Sequence, residues 1–255
     1  MNSGLNDNKA AVLYSGGCDS TYAAALMAKD CDEIHLLSYY HLGAIRLDTT
    51  KVNVDRLREK FPRTRFVHQI INLDKMFREL LYGRYLRDIF KHGFFNLAMC
   101  TICKVAMHTR TLVHCLDNKL GQACDGANRA RERTYPSETL RFMQFHKKFY
   151  ATYGVKYSSP VFDEPLDTDR ILFEMGIVDS KDMKAAGKNQ EIEPTCHQKS
   201  IYHTATQGYY VNLWGYDRLD EVAYKYYEDK FGMMQKYIDE YLKDREGSKM
   251  FRLIS

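Results

Sequence analysis

The sequence predicts an α/β fold: an open parallel sheet with helices on both faces, followed by a helical C-terminal extension. Three observations predict it. Apolar runs of strand length alternate with segments of helical periodicity along most of the chain. A Gly-Gly turn, Gly16-Gly17, joins the first apolar run to an alanine-rich segment. The 255 residues are 45% hydrophobic, enough to bury one sizeable core.

The elements follow in order. Residues 10–14, all apolar or aromatic, read as a first buried strand, and residues 21–29 as an alanine-rich helix. A second strand is expected at 34–39, a helix at 52–61 stopped by Pro62, and a third strand at 66–71. Met76, Phe77, Leu80, Leu81, Tyr85, Leu86 and Ile89 recur at helical spacing, which predicts one helix over 74–90. Next come a helix over 103–116, a short strand at 121–125, and a helix from Pro136 to about residue 153, proline being tolerated in a first turn. A last strand at 157–162 and a helix at 167–175, capped by Asp167 or Thr168, complete the sheet region. Residues 181–193 are polar and loop-like, and 219–243 form a tyrosine-rich helix that Trp214 is expected to anchor. This divides the chain into an α/β domain, 1–165, and a mainly helical extension, 166–255.

No run of 18 apolar residues is present, so no helical membrane span is expected. The polar start of the chain lacks the apolar core of a secretory signal, which predicts a cytoplasmic location. The net charge of +4 is small, but basic residues cluster. Between Arg129 and Lys148, six of them (Arg129, Arg131, Arg133, Arg141, Lys147, Lys148) face only Glu132 and Glu138, a segment able to attract phosphate groups.

Chemistry concentrates in Ser15-Gly16-Gly17-Cys18-Asp19-Ser20. Glycines after a buried strand let the backbone approach a ligand and turn successive N–H groups toward an anion, beside the positive end of a helix. Ser15 and Ser20 add hydroxyl donors. The loop lacks the lysine of GxxxxGK[ST], so it is not of Walker type. The segment matches SGGxDS, and the chain from residue 9 to 162 resembles the PP-loop ATP pyrophosphatases, with a weaker match to Cys196. That resemblance implies a Rossmann-like sheet and a loop (Ser15, Gly16, Gly17, Asp19, Ser20) holding the β- and γ-phosphates of ATP with Mg2+. It also implies transfer of AMP to a substrate oxygen. Asp19 would be a catalytic, magnesium-facing or structural carboxylate, and Ser38 would border the adenine.

Seven cysteines in a cytosolic chain point to free thiols, metal ligands or catalytic groups. Cys100 and Cys103 form a CxxC at a helix start, and Cys196 follows a proline far downstream. Three thiolates can hold a [4Fe-4S] cluster and leave one iron open; zinc completed by His197 or water fits the same set, and either CxxC thiol can carry a persulfide. The layout resembles the iron–sulfur-dependent tRNA thiolases of the PP-loop family, which implies that Cys100, Cys103 and Cys196 are cluster ligands. Cys31, Cys115 and Cys124 read as packing thiols, Cys18 as a variable loop position, and His108 and His114 as packing or surface residues.

Asp125-Gly126-Ala127-Asn128-Arg129 ends the strand at 121–125 and departs from the histidine-containing form seen in those thiolases. With Tyr135-Pro136 and Ser159-Pro160 it resembles instead the 7-cyano-7-deazaguanine synthase branch, yet that branch carries a four-cysteine zinc site absent here. Gly126 and Asn128 are expected at the nucleotide, and Arg129, Arg131 and Arg133 at substrate phosphates. The sequence thus predicts an adenylating enzyme that replaces a carbonyl oxygen by sulfur on a tRNA base or small molecule. A sulfur donor is the second partner, and a homodimer is compatible. An amide- or nitrile-forming ligase and a non-catalytic ATP-binding module are the alternatives.

Overall fold

The structure, a computed structural model, describes residues 4–41, 44–45, 50–93, 99–129, 138–162, 167–179, 195–196 and 211–255. Five strands form one parallel sheet in the order β4-β2-β1-β5-β6. They are β1 (Asn6–Leu13), β2 (Glu33–Tyr40), β4 (Arg65–Asn72), β5 (Leu120–Asp125) and β6 (Lys156–Ser158). β1 lies in the middle, which is why Ala10, Ala11 and Val12 are wholly buried. Their alternation sorts the core. Ala10 and Val12 pack with helices α1 (Cys18–Met27), α2 (Thr50–Lys60) and α7 (Thr168–Glu174) on one face. Ala11 packs on the other face with α3 (Asp74–Tyr82), α5 (Met99–Asn118), α6 (Leu140–Ala151) and the long C-terminal helix Tyr216–Lys243. A separate two-stranded ladder pairs β3 (Ala44–Ile45) with β7 (Thr195–Cys196).

The long helix buries Leu219, Ala223, Tyr226, Tyr227, Phe231, Met234, Ile238 and Tyr241, a stripe at helical spacing. It joins the same apolar cluster as β1 and α5. Among the described residues, no helix is long and apolar enough to cross a membrane.

Three expectations change. The helix over 74–90 is two helices, α3 and α4 (Tyr85–His92), broken at Gly83-Arg84. Only α3 buries its apolar face; Leu86 and Phe90 of α4 are 70% and 88% exposed. Ion pairs tie α4 to the long helix: Asp88, fully buried, pairs with the equally buried Lys230, and Lys91 reaches Asp229 at 2.7 Å. The strand expected at 157–162 stops at Ser158, and Phe162 turns back by donating its N–H to Ser159 O. Trp214, expected to anchor the long helix, is 59% exposed. Residues 181–193, read as a loop, lie outside the described residues, as does the start of the helix expected from Pro136.

Candidate phosphate loop and cysteine site

The strand order reverses at β1: β2 follows it on one side, β5 on the other. Open parallel sheets bind ligands outside the carboxyl ends of their strands at such a switch point. The loop 15–20 stands there. Gly16 has φ +83°, and a Cβ on it would lie 2.9 Å from Thr50 Cα. Asn53 Nδ2 donates to Gly16 O at 2.8 Å, and Arg56 in turn donates to Asn53 Oδ1 at 3.1 Å. The α2 helix therefore holds the loop from behind. Within the loop, Gly17 N donates to Ser15 Oγ (3.3 Å), while Ser20 Oγ donates to Gly17 O (3.1 Å) and lies 3.1 Å from Ser15 Oγ. Helix α1 begins at Gly17 without a side-chain cap, so its positive end faces the crevice.

The segment after β5 closes onto this loop. A Cβ on Gly126 would meet Ser20 N at 2.6 Å and Asp19 C at 2.7 Å, so only glycine permits the approach. Asn128 Nδ2 reaches Asp19 Oδ1 at 3.5 Å, and Thr168 Oγ1 donates to the same oxygen at 2.8 Å. Asp19 thereby ties α1 to α7 and to the strand end. Ser38, expected beside adenine, is 1% exposed and spends its hydroxyl inside the protein. It donates to Tyr14 O at 2.9 Å and lies 2.9 Å from His68 Nε2, so that nitrogen carries the hydrogen of the second bond. Burial pushes the pKa of His68 down, keeping the ring neutral. Thr50, Asn53, Arg56, His68 and Thr168 are parts of the site that sequence reasoning did not find.

Cys100 and Cys103 lie near the start of α5, both half-buried. That helix packs against β1, β5 and the long C-terminal helix. The two thiols are soft donors one turn apart; among the described residues no group of three His, Cys, Asp or Glu side chains comes together to hold a metal ion. The backbone of Cys196 pairs with Ala44, which ties this residue to the chain just beyond β2; its side chain lies outside the described structure. Three other thiols, Cys31, Cys115 and Cys124, are buried and of another kind. Burial pushes Cys31 up to about 11, and Cys115 and Cys124 higher still, so they stay protonated packing groups. Arg129 is exposed beside Asn128; Arg131 and Arg133 lie outside the described residues.

An open parallel sheet with helices on both faces is the fold class that the sequence predicts. Among the solved structures that resemble the chain are the following two. One, described as a predicted subunit of tRNA methyltransferase from Methanocaldococcus jannaschii, is 20% identical over 65% of this chain and 74% of its own, with a TM-score of 0.38. The other is the U34-tRNA thiolase NcsA from Methanococcus maripaludis with its [4Fe-4S] cluster. It is 17% identical over 91% of this chain and 74% of its own, with a TM-score of 0.44. No protein-family model matches the chain, and no curated protein sequence does.

Proposed function

We propose that this protein adenylates a carbonyl oxygen of a tRNA base with ATP and then exchanges that oxygen for sulfur. The observation that carries the reading is a glycine loop at the carboxyl end of β1, the strand against which the CxxC-bearing helix α5 packs. The loop 15–20 follows β1, and helix α5, which carries Cys100 and Cys103 near its start, packs along β1 and β5. Gly16, Gly17 and the start of α1 would receive the β- and γ-phosphates, Ser15 and Ser20 adding hydroxyl hydrogens. Mg2+ would accompany them, and Asp19 would hold the loop closed through Asn128 and Thr168. Fixed N–H groups at this position stabilise the charge that builds on departing pyrophosphate. Adenylation makes the former carbonyl oxygen a good leaving group, and a nucleophile then displaces AMP. A [4Fe-4S] cluster held by Cys100, Cys103 and Cys196 would supply an open iron for incoming sulfide. The basic segment that starts at Arg129 supports an RNA substrate over a small molecule.

The test begins with strictly anaerobic purification of the wild type and Cys196→Ala, and measurement of iron, acid-labile sulfide and zinc per chain. Near-equal iron and sulfide, lost in the variant, support the cluster; zinc instead would move the reading toward a structural site. Incubation with ATP, bulk tRNA and sulfide should then release pyrophosphate and AMP only when tRNA is present. Nucleotide binding without tRNA-dependent release would reduce the protein to an ATP-binding module.

A further inference from the structure

Within nine residues of the chain four large apolar side chains stand in water: Tyr82, Tyr85, Leu86 and Phe90 are 63%, 44%, 70% and 88% exposed. The chemistry described so far does not use them, and they belong to one surface. On α3, the exposed Lys75, Arg78 and Tyr82 recur at steps of three and four residues, the face opposite the buried Met76, Phe77 and Leu80. The Tyr82 ring stands 6.4 Å from that of Tyr85 across the break at Gly83-Arg84. On α4, Leu86 and Phe90 lie one turn apart, and Arg87 and Lys91, both exposed, form the neighbouring row.

The charge of this stretch sorts by depth. Residues 75–91 carry five cations (Lys75, Arg78, Arg84, Arg87, Lys91) and two carboxylates, Glu79 and Asp88. Both carboxylates are spent inward. Glu79 pairs with Lys249 at 2.6 Å and accepts from Tyr237 at 2.9 Å, and Asp88 pairs with the buried Lys230. Asp229 of the long helix meets Lys91 at 2.7 Å and Arg87 at 3.9 Å, which offsets one of the five cations. What faces outward is aromatic and positive. Unpaired nucleotides complement that combination: their bases stack on aromatic rings while their phosphates meet Arg and Lys. An anionic membrane surface would need a broader apolar face than Leu86 and Phe90 supply, because such binding scales with buried apolar area.

The surface also rises toward the end of the sheet that carries the loop 15–20. The long helix gives the scale. Its Tyr241 donates to Asp117 at the end of α5, next to the start of β5, so this level marks the amino ends of the strands. Tyr237 then meets Glu79 of α3, Lys230 meets Asp88, and Tyr226 lies edge-on to His92 at the end of α4 with centroids 5.2 Å apart. α4 therefore climbs toward the carboxyl ends of the strands, and α5 with its CxxC follows it in the chain. We propose that the outer faces of α3 and α4 dock unpaired nucleotides of the RNA substrate. Tyr82, Tyr85 and Phe90 stack on bases, while Lys75, Arg78 and Arg87 meet phosphates. The proposal rests on the RNA-substrate reading of the site and gives that substrate a second surface besides the segment at Arg129.

The experiment titrates the intact protein with bulk tRNA, a short oligo(U) and duplex RNA of the same length, over a series of salt concentrations. The first variant, Tyr82→Ser with Phe90→Ser, removes two rings that are mostly in water, so its thermal midpoint should match the wild type. Its affinity for tRNA and oligo(U) is expected to fall at least tenfold with the salt dependence kept. The second, Lys75→Ser with Arg78→Ser, should flatten the slope of log K against log salt for oligo(U) by about 1.4, the value for two phosphate contacts on a single strand. Duplex RNA should bind more weakly than oligo(U) and ignore the loss of the rings. If both variants bind tRNA and oligo(U) as the wild type does, the α3–α4 surface is no RNA contact, and the RNA-substrate reading stands without it. A wild type that binds neither tRNA nor oligo(U) removes that reading together with the surface. Vesicles of phosphatidylserine and phosphatidylcholine that retain the wild type, but not the ring variant, would assign the face to a membrane instead. A dimer in sedimentation that only the ring variant loses would assign it to a second copy of the chain. Either result overturns the proposal.

Discussion

Gly16 and Gly126 show how much of the site rests on the absence of a single carbon. At Gly16 an added Cβ meets both a left-handed backbone (φ +83°) and the Thr50 main chain at 2.9 Å. Gly16→Ala is expected to cost on the order of 1–3 kcal/mol and to weaken ATP binding more than tenfold, read by thermal midpoint and calorimetric titration. Gly126→Ala sets its Cβ 2.6 Å from Ser20 N and 2.7 Å from Asp19 C, both backbone, so it should reduce stability as well as ATP affinity. Equal ATP affinity in both variants and wild type would remove the loop from the nucleotide site. These glycines were legible in the sequence because their chemistry is local: strand, turn and helix follow within a dozen residues. Thr50 and Asn53, which brace the same loop, were not legible, since they stand more than thirty residues away and carry no motif of their own. Ser38 misled for a related reason: its position at a strand end is correct, but its hydroxyl points inward to Tyr14 O and His68.

The helices show what periodicity reads and what it misses. The stripe from Met76 to Leu81 lies on the core as spacing predicts, and the long C-terminal stripe does too. Continuing the first stripe through Tyr85, Leu86 and Ile89 was wrong, because Gly83-Arg84 breaks the helix and re-aims the second half. Charged pairs to the long helix then help to seat α4, and no hydrophobic pattern announces them. Lys230 Nζ donates to Leu80 O and pairs with Asp88, in a contact that excludes water from both groups. Lys230→Met would leave the Asp88 carboxylate buried alone, a loss of about 3–5 kcal/mol. Adding Asp88→Leu should recover most of it, as measured by urea midpoints of single and double variants; no recovery would show that the pair is not what seats α4. On the same long helix, a Cβ at Gly232 meets nothing within 4 Å. Gly232→Ala is expected to stabilise the protein by about 0.5–1 kcal/mol, the ordinary helix preference of alanine over glycine.

For the molecule as a whole, alternation of strands and helices foretold a parallel sheet, but not which histidines it would enclose. His108, His114 and His146 are buried between the sheet and its covering helices, brought there by long-range packing that the local sequence does not encode. Burial pushes all three pKa values down. His114, with His35 and then Arg110 adding to the effect, falls to about 3; His108 and His146 fall well below the ordinary value. The direction of the pH effect follows from where protons bind. The unfolded chain takes up these protons near pH 6.5 while the folded rings refuse them, so stability is complete above about 6.5 and declines as the pH falls. Each ring removes about 1.4 kcal/mol per pH unit over that window, and three together about 4 kcal/mol. Glu33, Glu79 and Asp229, held below the usual carboxylate range by their partners, act in the same direction at lower pH. A domain of ordinary stability, about 5–15 kcal/mol, is therefore expected to unfold cooperatively between about pH 5 and 3. Urea titrations at pH 7.5, 6.5, 5.5 and 4.5 should give falling midpoints only below 6.5. His114→Asn should make that decline shallower by about one proton, because the remaining amide has nothing to titrate. A midpoint that is constant from 7.5 to 4.5 would mean that the unfolded chain gains no protons over the folded one, and the buried rings would then have to be charged in the native protein.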